Sequence, residues 1–170
     1  MTASREPPRG SDAEDANTVA VFDLLRAQPL LIGLNDWQLG RLAPLAHRSM
    51  FHAGRRVFHP GDPADRLWLI VAGRVDVDLP GPGRVVVDTL GAGNALGWSW
   101  LLPPYRWQFG AVAVETTQTV ALDGPALRQL CDSDPTLGYP LTLALLHVVA
   151  DRLRATRHAR VEGRPDSSAG

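Results

Sequence analysis

Lysine is absent from this chain, cysteine occurs once, and no apolar run approaches the ~20 residues that a membrane-spanning helix needs. Seventeen basic residues, all arginine, stand against 18 acidic ones for a net charge of -1. No overall field therefore draws the chain to nucleic acid or to a membrane surface. A single cysteine, Cys131, rules out an intramolecular disulfide and a thiolate metal cluster, and a reduced cytoplasm is the expected compartment. The polar, acidic stretch from Met1 to Ala16 lacks the apolar core of a signal peptide, so export is not expected. Also missing are a Gly-x-Ser-x-Gly elbow, paired carboxylates in an apolar loop and a histidine beside the cysteine. An enzyme is the least supported class.

What is present fits one domain. Of 170 residues, 45% are hydrophobic and 21% charged, a globular composition. Residues 1–17 and 162–170, rich in Pro, Ser, Gly and acid, read as disordered tails around a domain at 18–161. Val19 to Ala27 has helical spacing and ends before Pro29. Asn35 reads as the N-cap of a second helix, with Pro44 bending it. From Arg48 the period becomes two, and turns recur at Ala53-Gly54, His59-Pro-Gly-Asp62, Ala72-Gly73, Pro80-Gly-Pro-Gly83 and Gly91-Ala-Gly93. Leu67 to Ala72 suits a central strand. Val75, Val77, Leu79, Val85 and Val87 suit the buried face of a hairpin. Gln108 to Val114 and Thr117 to Leu122 complete seven or eight strands. The fold class expected is mainly β with flanking helices, a sandwich or jelly roll. After it come a short helix from Gly124 to Cys131 and a longer one capped by Ser133 or Asp134, which Pro140 should kink or split.

One segment differs from the rest. From Gly91 to Ala113 it holds three of the five tryptophans, and Gly91, Gly93 and Gly97 permit backbone angles that other residues resist. Ser99 to Leu102 has room for one helical turn before Pro103-Pro104. A glycine turn running into a helical turn aims unpaired N–H groups one way, and Arg106 follows with a guanidinium that matches phosphate oxygens.

This order of strand, glycine turn, Leu96-Gly97, helical turn, proline, Arg106 and Ala111-Val112-Ala113 resembles the phosphate-binding cassette of the cyclic nucleotide-binding domain family. The resemblance extends back through Gly54, His59 to Asp62 and Asp65 to Val75, and covers roughly Leu30 to Arg157. It implies a β jelly roll (double-stranded β-helix), a regulatory role and a cyclic nucleotide, cAMP or cGMP, as ligand, with no further cofactor. The implied ligand contacts are Leu96, Gly97, Trp98, Ser99, Trp100, Arg106 and Trp107. Two positions depart from the family pattern. Trp98 stands where a glutamate usually holds the ribose 2′-hydroxyl, and Trp107 stands where Ser or Thr usually follows the arginine. The segment from Arg106 to Ala113 is also one residue longer than usual. A buried ribose hydroxyl without a partner costs ~1–3 kcal/mol. Two readings stay open: a sensor of cAMP or another phosphate-bearing ligand, and a cassette filled by its own aromatics that serves dimerisation, scaffolding or protein docking.

The remaining candidates are weaker. His47, His52 and His59 lack the His-x-His, Glu and later His of a cupin-type metal site, so no metal is expected. Asp62 and Asp65 belong to a turn. Arg152, Arg154, Arg157, His158 and Arg160 complement a helix C-terminus, and with no helix-turn-helix after them direct DNA binding is not expected. Leu141 to Ala150 is apolar nearly all round, so it needs cover on two sides. The expected partner is a second copy, giving a homodimer through Leu141 to Arg157, unless Val19 to Ala27 folds over it instead.

Overall fold

Period-two stretches punctuated by glycine turns fold into eight strands, and the helices gather over one core against β3 and β8. The computed structural model describes residues 20–81 and 83–162, with side chains described as far as residue 154. The expected tails lie outside those residues, apart from Glu162, which ends the last helix. Residues 20–26 form α1. A 3-10 turn, Pro29–Leu31, leads to α2, Asp36–Leu42. As expected, Asn35 caps α2, and it does so reciprocally: its side chain accepts from the Gln38 N–H while the Gln38 side chain accepts from the Asn35 N–H. Pro44 ends that helix in a 3-10 turn, Ala43–Leu45, and the chain then turns extended.

The strands are β1 (Ala46–Phe51), β2 (Arg56–Phe58), β3 (Arg66–Ala72), β4 (Val75–Leu79), β5 (Val85–Leu90), β6 (Ala95–Leu96), β7 (Gly110–Ala113) and β8 (Thr117–Asp123). They make two four-stranded antiparallel sheets, ordered β1-β8-β3-β6 and β2-β7-β4-β5. The architecture is the jelly roll expected. Between the sheets sits a core of Phe58, Trp68, Ile70, Val75, Leu90, Leu96 and Trp107. A second core, including Leu25, Leu42, Leu67, Leu69, Trp100, Leu122, Leu127, Leu137 and Leu141, lies under the helices.

The β4–β5 hairpin departs from simple alternation. The pairing slips beside Val77 and Asp78, where Val87 is left as an extra, unpaired residue of β5, while β4 itself runs on without a break against β7. Leu79, Val85 and Val87, expected inside, are exposed, while Asp78, on the same side of β4 as Asp76, is buried. Asp78 is held by Arg56 at 2.9 Å and Arg84 at 3.3 Å.

Asp123 caps α3, Gly124–Ser133, by accepting from the Ala126 N–H. Of the two candidate caps for the next helix it is Asp134 that accepts from the Thr136 N–H. That helix, α4, runs from Pro135 to Glu162 as one continuous element, so Pro140 neither splits nor ends it. A proline there removes the bond that would satisfy the carbonyl four residues earlier. In this chain that carbonyl, Thr136 O, accepts a 2.7 Å hydrogen bond from Gln38 Nε2 of α2. Gln38 is thus the substitute donor that makes Pro140 tolerable. Gln38→Leu is expected to cost about 1–3 kcal/mol through the orphaned groups, seen as a lower urea midpoint. An unmoved midpoint would show that water serves Thr136 O equally well.

α4 packs Leu137, Leu141 and Leu145 into the helical core beside Leu25, Leu30 and Leu31. The N-terminal segment therefore does cover part of it. A stripe on its other side stays exposed.

Candidate functional site

The cassette region is built from β6, the 3-10 turn Ser99–Leu101 and the strand-like run that leads into β7. The glycine turn forms as its residues require: Gly93 has φ of 83° and Gly97 of 84°, a region open to glycine at no steric cost. Gly97 is also needed for space. A Cβ there would lie 2.9 Å from the Trp107 ring and 3.2 Å from the Arg66 carbonyl.

Phase decides what the site contains. The run from Tyr105 to Trp107 pairs along the turn before β3: the Ala64 N–H donates to Tyr105 O at 2.8 Å, the Trp107 N–H to Asp62 O at 3.0 Å and the Gly61 N–H to Trp107 O at 2.8 Å. In such an extended run adjacent side chains leave on opposite sides. Trp107 goes in and Arg106 goes out. The Trp107 ring stacks on Phe58 at 4.2 Å between centroids, and Phe58 stacks on Trp68 at 5.5 Å. Arg106 is exposed, and its guanidinium donates to Gly61 O at 2.7 Å.

Five of the seven residues implied by the resemblance meet around one cavity: Leu96, Gly97, Trp98, Ser99 and Trp107. Two do not. Arg106 stands outside it, on the far side of the Trp107 backbone, and Trp100 is fully buried in the helical core. The cavity measures about 40 Å³. That is room for a water molecule, against the ~300 Å³ or more of a small-molecule site.

Five further residues line it that residue-by-residue reading did not pick out for the site: Phe58, Val77, Gln108, Phe109 and Arg152. Arg152 comes from α4 and donates to Ala95 O, with Asp88 Oδ2 at 3.7 Å from its Nε. Burial lowers its pKa and Asp88 works against that, so the group remains a cation at any physiological pH. It ties α4 to β5 and β6 at the cavity's rim. No spacing rule connects residue 152 to residue 95, which is why only its place at a basic helix end was legible. Elsewhere, burial and then Asp132 and Asp134 push the Cys131 thiol up to about 11, which leaves little thiolate at neutral pH.

The residues present do not fit a cyclic nucleotide in the family's usual pose. The space against Gly97 holds the Trp107 ring, and the guanidinium that the resemblance sets on the phosphate is bonded to a turn carbonyl. Among the described residues no helix is long and apolar enough to cross a membrane, and no three His, Cys, Asp or Glu side chains gather as metal ligands.

Known proteins place the fold. The cyclic nucleotide-binding domain model matches residues 48–134, just over half of the chain. Uncharacterized NTE family proteins of Mycobacterium tuberculosis and Mycobacterium bovis are 28% identical over 167 residues, which is 97% of this chain and 26% of theirs. A CRP-like cAMP-activated global transcriptional regulator of M. tuberculosis is 30% identical over 110 residues, 64% of this chain and 47% of its own. The chain thus spans about a quarter to about half the length of these relatives. A cyclic nucleotide-binding domain from Methylobacillus flagellatus superimposes with a TM-score of 0.72 at 22% identity, covering 91% of this chain and 88% of that one. With two sheets in the family's arrangement, a glycine-turn cassette between β6 and β7 and a family model over most of the roll, this chain belongs to the cyclic nucleotide-binding domain family.

Proposed function

We propose that this chain is a regulatory module of the cyclic nucleotide-binding type that works without a nucleotide, its cassette filled by its own Trp107, and that it acts as a dimerisation or docking element. The observation that carries this reading is the Trp107 ring stacked on Phe58 against Gly97, leaving about 40 Å³. A ligand would have to evict an indole from a stacked aromatic core. In return it would gain neither a carboxylate for its ribose, because position 98 is tryptophan, nor the Arg106 guanidinium, which is bonded to Gly61 O. A buried hydroxyl left unpaired and a phosphate without the Arg106 guanidinium each oppose binding.

The sensing alternative rests on family membership and on the polar rim of Ser99, Gln108 and Arg152. Thermal melting separates the two. With cAMP, cGMP or a cyclic dinucleotide at a hundred times a dissociation constant, binding would add about 2.7 kcal/mol. The expected result at millimolar nucleotide is no shift in Tm. A rise of several degrees with any of them would overturn the filled-cassette reading.

A further inference from the structure

Besides the cassette cavity, the surface opens a cleft of about 260 Å³ between α1 and the β1 edge of the first sheet. None of its lining residues belongs to the cassette. Strand pairing sets its floor. Arg48 lies opposite Val120 and Met50 opposite Gln118, so by alternation Arg48, Met50 and Gln118 share the sheet face that carries the helical core. Leu24 of α1 forms the wall, partly buried against that core. Val71 joins the floor where β3 bulges: its pairing with β8 shifts between Ile70 and Ala72, and Val71 is the extra residue. Ser49 and Thr119 also border the cleft, their hydroxyls bonded to each other at 2.7 Å.

The lining is one-sided in charge. No Asp or Glu belongs to it, and among the described residues Arg48 makes no ion pair and Gln118 no side-chain hydrogen bond. Most arginines of the roll are otherwise engaged: Arg56 and Arg84 hold Asp78, and Arg74 holds Glu115. We propose that this cleft binds a small carboxylate with an apolar body, its carboxylate on Arg48 and Gln118 and its body along Leu24, Met50 and Val71. A guanidinium fork matches a carboxylate in a bidentate way, and the Gln118 amide adds a donor. Leu24 and Val71 offer fixed apolar surface, and the unbranched Met50 adapts to what lies on it. Size narrows the class: at the ~30 Å³ of one water molecule the cleft holds about eight or nine heavy atoms, a carboxylate with about five or six further carbons. Such a site gives the module a ligand input that a filled cassette lacks, and it stands whether or not the cassette is filled.

Two-dimensional amide NMR of the full chain tests it, with sodium hexanoate and sodium benzoate as probes. Saturable shifts are expected at Leu24, Arg48, Met50, Val71 and Gln118 at millimolar probe, and none at Gly97 or Trp107. Hexanol, which keeps the chain without the charge, and acetate, which keeps the charge without the chain, should each bind at least about tenfold more weakly than hexanoate. Arg48→Gln changes an exposed side chain, and it should weaken hexanoate about tenfold or more with unchanged far-UV circular dichroism. Met50→Glu, which sets an acid two residues along the same face, should do the same. Hexanol or acetate binding as tightly as hexanoate, or either variant binding like the parent, overturns the proposal. So does a spectrum that neither probe moves at tens of millimolar. Shifts centred on Gly97 and Trp107 would overturn it together with the filled cassette, whereas shifts at the cleft leave the cassette reading to the nucleotide melts.

Discussion

Trp107→Ala is expected to lower the unfolding free energy by about 3–5 kcal/mol, the range for deleting a large aromatic side chain from a core. Trp107 is 3% exposed and stacks on Phe58, so little of the space it leaves can be refilled from solvent. For a chain of this size the loss corresponds to roughly 6–20 °C in Tm. The space is apolar on the side of Phe58, Val77 and Leu96, and apolar cavities of this kind take up small aromatic molecules. Added indole should therefore restore part of the lost stability, by mass action on the folded state. The neighbouring substitution supplies the contrast. Arg106→Ala removes an exposed side chain bonded only to a turn carbonyl among the contacts described, and exposed sites of that kind change stability by about 0.5 kcal/mol or less. If Arg106→Ala were instead the costly change and Trp107→Ala the mild one, the phase assigned to this strand would be wrong. Scanning calorimetry of the two variants with and without indole decides it.

That contrast marks where reading from sequence stops. Period-two spacing and glycine turns were sufficient for the roll, because they are local consequences of backbone sterics. The glycine turn, the one-turn helix and the Asn35 cap were legible for the same reason. Phase was not. Whether Arg106 or Trp107 faces inward depends on pairing with residues 61–64, some forty positions away, and alternation alone says only that they differ. The hairpin departed as well: Leu79, Val85 and Val87 alternate as a buried face would, yet they are exposed, and nothing within the strands announces it. Pro140 gave a correct local signal with a wrong outcome, since the donor that rescues Thr136 O sits on α2 at residue 38. Arg152 belongs to the same class, a side chain whose role at the cavity rim is set by a carbonyl 57 residues earlier. For Pro140 and Arg152 the missing information is a long-range contact made by one polar side chain, and for Arg106 and Trp107 it is a long-range backbone pairing.

Gly110→Ala is the second large effect expected, and it follows from the buried carboxylate of Asp78. Gly110 is paired opposite Asp78 across β7 and β4. A Cβ at 110 would overlap both Asp78 Oδ1 and Arg56 Nη1, the two atoms that form the 2.9 Å ion pair. The glycine is therefore required for passage of a side chain rather than for an unusual backbone angle. Asp78 is 3% exposed, so driving Arg56 away leaves a charge in a site that water barely reaches. Orphaning a buried ion costs ~3–5 kcal/mol. Arg84, whose Nε lies 3.3 Å from Asp78 Oδ2, remains as a partial partner. The expected loss is accordingly about 2–4 kcal/mol, at or below that range. A double-mutant cycle tests the cause. In an Asp78→Ala background the overlap with the carboxylate and the buried charge are gone and the released Arg56 side chain can swing aside, so Gly110→Ala should then cost about 1 kcal/mol or less. Urea midpoints of the four proteins give the answer. A full penalty that persists without Asp78 would place the cost in the backbone of β7 and separate Gly110 from the ion pair.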